Sequence, residues 1–573
     1  MDLMYDSYYR YCALTEALED FQRKYPKLAK LYSIGKSHEG RDIWCIELTC
    51  QDKPAEEKPG FYLDGNTHAG EVTGTMACLY TIDWLLSNYG KEDQATRILD
   101  TKVIYVLPRI CPDGAELYLT TGYMLRSTTH KWKHPHYADK ISSGLMPEDI
   151  DGNGAICQMR VRDDLSGDWS VSAVDSRLMV RRKPHEFGGQ YYRLYSEGLI
   201  ENYDGITFDN APPRWGIDMN RNYPINWKPP HMQHGAGDTP LSEPESKAVT
   251  DFMLSKRNLA GAIYHHTSGG ILLRPNCVEA DAKLPPADLA VYKTIGALGE
   301  EMTGYPCQDV FGVFAGNKEQ WGTFMDLSYE YLGLFSFATE LWDLNGRSGT
   351  KEKGIAAWEK MNYKEREEMQ LKALRWNDEH MGGECFFPWT KFDHPQLGEV
   401  EIGGWNVKEG VQNPPKKLLE EECEKINKFT LMNIECLPQL AITNVNCEKL
   451  PDSNNVWRIT CVVENAGFLP TSGTSKAQNN KITAPVKVEI CGDGVLGWSQ
   501  PSVAARPCIL GENEIDLGHL NGRAATSPGP MQASPAGRRN KAEWLVQAEP
   551  GTELCITAKS ERAGTVRFIL NTK

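Results

Sequence analysis

The chain of 573 residues is 40% hydrophobic and 24% charged, and its formal net charge is -15 at pH 7. This length exceeds what one hydrophobic core can organise, and the ordinary composition excludes a disordered or collagen-like chain, so we expect at least two globular domains. The acidic balance, without a basic arm or stripe, argues against nucleic acid as a partner.

The chain shows no sign of a membrane or export segment. It has no run of about 18 apolar residues, so we expect no membrane-spanning helix and no membrane partner. The N-terminal sequence MDLMYDSYYRYC has acidic residues where an export signal would be basic, and the cysteines are scattered without a C-x-x-C pair. Scattered cysteines are typical of reduced thiols. We therefore expect a cytoplasmic protein, unless a leader peptide has been removed.

Residues 1–432 alternate short apolar runs with longer amphipathic stretches, which is typical of an α/β domain. The apolar runs predict strands of a largely parallel sheet that is buried on both faces. They are Phe61–Asp64, Val103–Leu107, Leu259–His265 and Leu334–Glu340. Helices are predicted over Thr75–Leu86, over Lys364–Met381 and from Ser242, where SEPE supplies a serine cap, a first-turn proline and an acidic residue.

Two further regions break this alternation. Residues of about 129–215 are dense in Gly, Asp, Arg and Tyr and lack an apolar period. They predict loops and short hairpins that roof the cleft of the α/β domain. In residues 437–573, short strands such as VWRITCVVENAG and APVKVEICG alternate with Gly, Pro, Ser and Asn clusters, which predicts a C-terminal β-sandwich domain.

Residue types that bind metals follow two of the predicted strands. His68 and Glu71, spaced H-x-x-E, come directly after the first strand, and His265 and His266 end the third. In open α/β sheets the carboxyl ends of the strands meet at one edge, and two histidines with a glutamate form a catalytic zinc set. In a later strand, Glu340 interrupts the apolar run FSFATELWD, either as a satisfied buried carboxylate or as a general base.

The ordered set of motifs over about residues 5–432 resembles the zinc carboxypeptidase family of the carboxypeptidase A type. The matching segments are IGKSHEGRDIWCIELT, HAGE, RICPDG, GIDMNRNYP, SEPE, HHTSGGILLRP and ATELWD. The resemblance implies a three-layer α/β/α fold with a mixed, mostly parallel sheet and one Zn²⁺ per chain. It also implies removal of the C-terminal residue of a peptide, with a long insert similar to that of bacterial-looking members.

Carried over residue by residue, the resemblance gives the metal to His68, Glu71 and His266. His266 is preferred to His265 because its spacing to the following LLRP segment fits the family better. Glu340 resembles the general base, which would take a proton from the zinc-activated water and deliver it to the leaving amine.

The resemblance also implies roles around the metal. Asp218 resembles the carboxylate that accepts the other ring proton of His68, with a plain turn residue as the alternative. Asn220 and Arg221 resemble the pair that binds the terminal carboxylate of the substrate, a task suited to the guanidinium fork, with an internal salt bridge as the alternative. Arg126 resembles the arginine that polarises the scissile carbonyl.

Two assignments near the cleft stay open. Arg109 and Arg160 are nearby alternatives to Arg126. By position, Met325 lies at the base of the specificity pocket, and the absence of Arg or Lys there favours an apolar or mixed preference.

One departure from the family pattern and one separate motif bear on ligand binding. Phe311 and Phe314 stand in the segment where the family commonly has a mobile tyrosine, so the hydrogen bond of that phenol is in doubt. In the insert, Asp149-x-Asp151-x-Asn153-Gly154 matches the first half of a calcium loop, but Arg160 stands where the loop needs a glutamate. Ca²⁺ and a plain Gly turn are both open.

Three functions compete. The first is a zinc carboxypeptidase, and the second is a peptidase or amidase acting on cell-wall peptides or another amide with a free carboxylate. The third is a catalytically inactive binding protein, which the retention of Glu340 and all the ligand candidates disfavours. No G-x-S-x-G elbow supports a serine hydrolase. The oligomeric state is not readable from the sequence.

Overall fold

The computed structural model describes residues 3–132, 143–351, 355–500, 513–525 and 537–573. Up to residue 405 the strands are, in chain order, β1 (Ala29–Lys36), β2 (Asp42–Leu48), β3 (Gly60–Gly65), β4 (Val103–Leu107), β5 (Gly144–Pro147), β6 (Gln158–Arg162), β7 (Trp169–Val171), β8 (Met179–Arg181), β9 (Tyr192–Ser196), β10 (Gly198–Glu201), β11 (Leu259–Thr267), β12 (Ile271–Arg274), β13 (Cys307–Asp309), β14 (Phe335–Leu341), β15 (Phe386–His394) and β16 (Gly398–Trp405).

The α-helices of the same part are α1 (Tyr11–Lys24), α2 (Thr73–Asn88), α3 (Asp93–Thr101), α4 (Pro112–Thr120), α5 (Pro244–Ser255), α6 (Pro286–Thr303), α7 (Phe324–Asp326), α8 (Leu344–Arg347), α9 (Ile355–Lys360), α10 (Tyr363–Met381) and α11 (Leu419–Glu435). The predicted strands and helices are all present with small shifts at their ends. Helix α10 begins with a capping box, in which Asn362 and Glu365 satisfy each other's backbone N–H groups.

The predicted cap of α5 is wrong. The helix begins at Pro244, and Glu243 rather than Ser242 is the N-cap residue. The Ser242 hydroxyl instead donates to Glu243 Oε1 at 3.0 Å and accepts from Asn222 Nδ2 at 2.9 Å. Because this hydroxyl is engaged outside the helix, it is not the cap of the helix backbone.

An eight-stranded sheet in the order β1-β2-β4-β3-β11-β14-β12-β13 forms the centre of the first part. Its inner pairs β4–β3, β3–β11 and β11–β14 are parallel, and so is β12–β13, while the remaining pairs are antiparallel. This confirms the predicted mixed, mostly parallel sheet. The carboxyl ends of β3, β4, β11 and β14 therefore lie at one edge.

Helices cover both faces of this sheet. Successive strand residues point to opposite faces, so Leu63 of β3 packs in one core together with Ile82 of α2 and Phe429 of α11. Its neighbour Tyr62 packs in a second core with Phe252 of α5 and residues of α4. The molecule thus has the expected α/β/α layers, with short, largely apolar strands buried on both sides.

The insert forms a second sheet with a segment that lies far away in the sequence. Strands β6 to β9 join β15 and β16 in a six-stranded antiparallel sheet of order β15-β16-β6-β9-β7-β8, and β5 pairs with β10. The pairing of β16 with β6 joins Ile402 to Met159. Residues 133–142 of the predicted insert lie outside the described residues.

The C-terminal part consists of two stacked four-stranded sheets. Its strands are β17 (Leu440–Lys449), β18 (Val456–Asn465), β19 (Val486–Cys491), β20 (Val495–Ser499), β21 (Glu514–Gly518), β22 (Arg539–Ala548), β23 (Glu553–Ser560) and β24 (Gly564–Asn571), with one short helix, α12 (Ser475–Asn479). The sheets have the orders β17-β18-β22-β20 and β21-β19-β23-β24. They enclose a core that includes Trp457, Trp544 and Ile556, which confirms the predicted β-sandwich.

A buried arginine joins the two parts. Arg562, at the turn between β23 and β24, donates to the backbone carbonyls of Leu332, Gly333 and Ser472. Leu332 and Gly333 directly precede β14, so this contact reaches the strand that carries Glu340.

The part of the chain that is described contains neither a helix suited to cross a membrane nor a disulfide bond. None of its helices combines the length and the apolarity needed to cross a bilayer. The cysteines described there are all free thiols, in agreement with the scattered pattern in the sequence.

Candidate active site

Three buried side chains converge at the carboxyl edge of the central sheet. His68 Nδ1 lies 2.8 Å from Glu71 Oε1, and His266 Nδ1 lies 2.8 Å from Glu71 Oε2. The two ring nitrogens are 3.1 Å apart. His68 and Glu71 follow β3, and His266 lies near the end of the adjacent parallel strand β11. Two nitrogens and one carboxylate this close together form a donor set suited to one zinc ion.

Asp218 lies behind this group. Its Oδ1 is 3.2 Å from His68 Nε2, and it also accepts from the backbone N–H of Asn220 at 2.8 Å. A carboxylate beside Nε2 favours the imidazole tautomer that is protonated at Nε2. In this tautomer Nδ1 carries no proton and is free to bind a metal. The one-turn helix Met219–Arg221, which Asp218 caps, holds these residues in place.

The two neighbouring histidines of β11 differ in environment. His265 points away from the group, and its Nδ1 lies 2.8 Å from Thr339 Oγ1. Burial and the nearby His266 lower the pKa of His265 to about 3. Successive residues of a strand face opposite sides of the sheet, so only one of the pair can reach Glu71. That residue is His266.

Glu340 lies beside the histidine–glutamate group. In the parallel pair β11–β14, His266 and Glu340 are register partners. Burial, together with the Glu71 carboxylate, raises the pKa of Glu340 to about 8. No hydrogen bond to the Glu340 carboxylate is formed within the described residues, in contrast to the other carboxylates of the site.

Arg126 joins Asp218 and Glu71. Its Nε donates to Asp218 Oδ2 at 3.0 Å, and its guanidinium also donates to Glu71 Oε1 at 3.1 Å. The side chain is partly exposed and lines the cleft. The alternative Arg109 is buried and donates to the Tyr9 carbonyl, and Arg160 pairs with Glu401 of β16. Neither of these two arginines lines the cleft.

The three candidate metal ligands, Arg126 and Glu340 border one cleft of about 300 Å³. Asn220 and Arg221 also line it, together with Gln320. Arg221 donates to Gln320 Oε1 at 2.5 Å, and the Asn220 side-chain oxygen accepts from Phe324 N at 2.9 Å. The NH₂ group of Asn220 therefore remains as a donor, next to a guanidinium. This end of the cleft is cationic and can pair with a carboxylate.

The remaining wall of the cleft is mostly apolar. Met325 is buried and lines it, together with Leu273, Cys277, Val310 and Ala338. Phe314 also lines the cleft, and it brings no hydroxyl group to the place where the family pattern has a tyrosine.

The calcium pattern of the insert forms a separate acidic cluster. Carboxylate oxygens of Asp149, Asp151 and Glu197 lie within 4.8 Å of one another. Each of the three already accepts backbone or side-chain N–H groups of the same loop. Arg160 lies outside this cluster, because it pairs with Glu401.

Sequence reasoning missed two parts of the site. Gln320 orients Arg221 from a position 99 residues away along the chain. Trp358 of α9 lines the cleft and also borders a second cavity of about 340 Å³, which none of the motifs indicated. The only signal for Gln320 was its place between Phe314 and Met325.

Two family models match parts of the chain. A family model described as zinc carboxypeptidase matches residues 14–155 and 185–355, together more than half of the chain. A second model, described as a domain of unknown function, matches residues 439–570.

Similar curated proteins match short segments only. The chain is 35% identical over 101 residues to carboxypeptidase SOL1 of Arabidopsis thaliana, which covers 18% of this chain and 21% of that protein. It is 28% identical over 145 residues to a zinc carboxypeptidase of Saccharothrix mutabilis subsp. capreolus, covering 25% of this chain and 32% of that protein. The matches thus span between about a fifth and a third of these two relatives.

One similar solved structure is that of thrombin activatable fibrinolysis inhibitor. It is 16% identical, covers 75% of this chain and 74% of its own, and superposes with a TM-score of 0.44.

Proposed function

This chain belongs to the zinc carboxypeptidase family, and we propose that it is a metallocarboxypeptidase that hydrolyses the C-terminal peptide bond of peptides. The observation that carries this proposal is the single cleft in which His68, Glu71 and His266 converge beside Glu340, with Arg221 at the far end. Such a cleft combines a metal site, a base and a binding group for a terminal carboxylate.

We propose that His68, Glu71 and His266 hold one Zn²⁺ ion. The donor set is buried, mixes two imidazoles with a carboxylate and leaves a position open for water or substrate. A bound zinc ion would act there as a Lewis acid and lower the pKa of a water molecule. Asp218 supports the site by holding His68 in the tautomer with a free Nδ1.

Glu340 is proposed as the general base. Its carboxylate accepts no hydrogen bond from the described residues, so it is available to take a proton from a water molecule in the cleft. Burial and Glu71 raise the pKa of this carboxyl to about 8, and the positive charge of a bound zinc ion would favour the ionised form that takes the proton. The same carboxyl can then deliver the proton to the nitrogen of the leaving residue, so that proton uptake and release balance over one turnover.

Arg126 is proposed to stabilise the scissile carbonyl oxygen. Its guanidinium borders the cleft beside the metal ligands and is partly exposed, so some of its N–H groups can face a substrate. A cationic donor fixed near the position where negative charge develops lowers the barrier without reorganising during the reaction.

Arg221 and Asn220 are proposed to bind the terminal carboxylate. The Gln320 side chain orients the guanidinium, and the Asn220 amide adds a neutral donor. The neighbouring wall around Met325 is apolar, which favours C-terminal residues with apolar side chains. Peptides of a cell wall or other amides with a free carboxylate fit the same groups.

We assign this chemistry to residues 1–432 and treat residues 437–573 as an accessory domain. The catalytic groups described above all lie in the first range, and the second has a core of its own. In the insert, we propose Ca²⁺ at Asp149, Asp151 and Glu197 only as a weak site, because those carboxylates already accept hydrogen bonds.

The test is a substrate panel on the full chain. The purified protein is loaded with zinc and incubated with N-acetylated peptides that differ in the C-terminal residue, including a cell-wall stem peptide, and free amino acids are quantified over time. We expect single C-terminal residues to be released, apolar ones fastest, and a chelator to abolish release. Cleavage at internal bonds, or no cleavage of any peptide by the zinc-loaded protein, would contradict the proposal.

A further inference from the structure

A second cavity adjoins the cleft, and tryptophan side chains dominate its wall. We call it the annex; its volume is about 340 Å³, and its large apolar lining residues include Trp169, Met179, Phe386, Trp389 and Trp405. These residues lie on strands β7, β8, β15 and β16 of the six-stranded antiparallel sheet that the insert forms with β15 and β16. We call this sheet the insert sheet. Ser268, Gly269 and Trp358 border both the annex and the cleft, so the two spaces adjoin each other.

The direction of a bound peptide follows from which residues line each space. Arg221 and Gln320 line the cleft but not the annex. Ser268 and Gly269, shared by both, follow directly after the β11 strand that carries His266. A peptide with its carboxylate at Arg221 and its last peptide bond at Glu340 would therefore extend its preceding residues towards the annex.

The aromatic wall is held in position before any ligand binds. The Trp389 indole donates to the Arg177 carbonyl at 2.7 Å, and the Trp405 indole lies 3.5 Å from Gln370 Oε1. Trp405 also stacks edge-on against Phe386, with ring centroids 5.3 Å apart. Rings fixed in this way lose little conformational entropy on binding, which favours affinity.

The polar groups of the annex favour a peptide side chain over a sugar. Arg177 is paired with Asp175 and Asp378 at 2.7 Å each, and the indole N–H groups of Trp389 and Trp405 already face acceptors. A sugar would need convergent free donors and acceptors. The buried indole N–H of Trp358 has no acceptor among the described residues and lies where the annex meets the cleft.

We propose that the annex is an extended substrate subsite, which binds an aromatic or large apolar side chain upstream of the scissile bond. This inference rests on the proposed function and adds a preferred substrate class to it: peptides that carry bulky apolar residues before the last two positions. The selecting groups lie in the insert sheet, not in the zinc site.

The experiment compares two substrates on each protein. Both are N-acetylated peptides with the same last two residues; the two residues before these are tryptophan in one peptide and glycine in the other. We measure kcat/KM for each on the wild type and on Trp169→Ala and Trp405→Leu, all zinc-loaded. Phe187→Ala is the matched control, because Phe187 is an 81% exposed aromatic of the same insert.

In the wild type we expect the tryptophan peptide to be preferred by about 10- to 100-fold, since burying aromatic surface stabilises its complex. In Trp169→Ala and Trp405→Leu the preference should fall to about threefold or less, and in Phe187→Ala it should persist. Each ratio compares two substrates on the same protein sample. A smaller folded fraction in a variant therefore lowers both kcat/KM values equally and leaves their ratio unchanged.

The two proposals fail in different ways. If the wild type cleaves both peptides at equal rates, or if both tryptophan variants keep the full preference, the subsite is wrong and the carboxypeptidase stands. If neither peptide is cleaved, the proposed function fails. The subsite is then tested by measuring the binding of each peptide to Glu340→Gln, with tryptophan fluorescence as the signal. Tighter binding of the tryptophan peptide than of the glycine peptide supports the subsite. Equal binding, or tighter binding of an oligosaccharide, overturns it.

Discussion

At the scale of single residues, the neighbours His265 and His266 allow a sharp test of the metal site. His266 reaches Glu71, whereas His265 faces Thr339 on the other side of the sheet. Removing a ligand should weaken zinc binding by more than the roughly 10- to 100-fold typical of residues that only support a ligand. We therefore expect His266→Ala to lose zinc during gel filtration while His265→Ala retains it, as measured by elemental analysis. The opposite pattern would show that the ligand is His265.

Glu340 permits a second test at this scale. Glu340→Gln keeps the size of the side chain and removes its ability to take a proton. We expect kcat to fall by about 10²–10⁴ while zinc content and peptide affinity stay near those of the wild type. Steady-state kinetics and elemental analysis measure both quantities. Unchanged turnover would remove Glu340 from the mechanism.

The sequence pointed to the candidate metal ligands and to Asp218, but not to the hydrogen-bond partner of Arg221. His68 and Glu71 are three residues apart and two adjacent histidines end an apolar strand, so local patterns marked these candidates, and the resemblance to the family favoured His266 over His265. The partner of Arg221 is Gln320, which becomes adjacent only after folding. A hydrogen bond between loops so far apart leaves no local pattern.

At the scale of secondary-structure elements, the first turn of α5 contains a pH-sensitive carboxyl group. Glu245 is fully buried; one oxygen accepts from His38 N at 3.0 Å, and the other has no partner among the described residues. Burial raises the pKa of Glu245 from 4.5 to about 7. A raised pKa means that the folded state holds this proton more tightly. Its stabilisation is therefore complete below about pH 4.5 and is lost as the pH rises through about 7.

We expect Glu245→Gln to increase the free energy of unfolding by about 2–3 kcal/mol at pH 8.5 and to change it little at pH 4.5. Urea unfolding at the two pH values measures the difference. Asp251→Asn is the matched control on the exposed face of the same helix, where a neutral amide should have a similar effect at both pH values. An equal effect of Glu245→Gln at both pH values would mean that the carboxyl is ionised in the fold throughout.

Elements with clear local patterns were predicted well, and those that depend on distant partners were not. Strands β3, β4, β11 and β14 are continuous apolar runs, because both of their faces are buried. Strands β15 and β16 are partly exposed and contain Pro388 and several glycines, so neither an apolar run nor a clean alternation marks them. β15 pairs with β16, and the other partner of β16 is β6, which lies more than 200 residues earlier in the chain.

At the scale of the whole molecule, the buried Arg562 connects the β-sandwich to the catalytic part. Arg562→Ala would leave the carbonyls of Leu332, Gly333 and Ser472 without this donor. Gly333 and Ser472 keep donors from Thr474 N and Thr483 Oγ1, so the cost comes from the lost guanidinium bonds and from the Leu332 carbonyl, and we expect the free energy of unfolding to fall by about 2–4 kcal/mol. Arg567→Ala, which breaks an exposed ion pair with Glu57, should cost less than about 1 kcal/mol. Calorimetry of both variants measures the difference, and equal losses would mean that Arg562 does not stabilise the junction.

The overall architecture was predictable because the two parts differ in pattern along the chain: strands separated by helices in the first, and closely spaced short strands in the second. The docking of these parts was not predictable. It depends on Arg562 and on backbone carbonyls more than 80 residues away from it, and a backbone carbonyl is present at every residue.

The central claim is that this cleft cleaves next to a free C-terminal carboxylate, and one measurement tests it most directly. The rate of hydrolysis of a single peptide is compared between its free acid and its C-terminal amide, on the zinc-loaded wild type and on Arg221→Ala. We expect the wild type to cleave the acid at least about 100-fold faster. Arg221→Ala should lower kcat/KM for the acid by an amount equivalent to about 2–5 kcal/mol, with little effect on the amide. Equal cleavage of acid and amide by the wild type, or an equal loss for both in Arg221→Ala, would contradict the carboxypeptidase assignment.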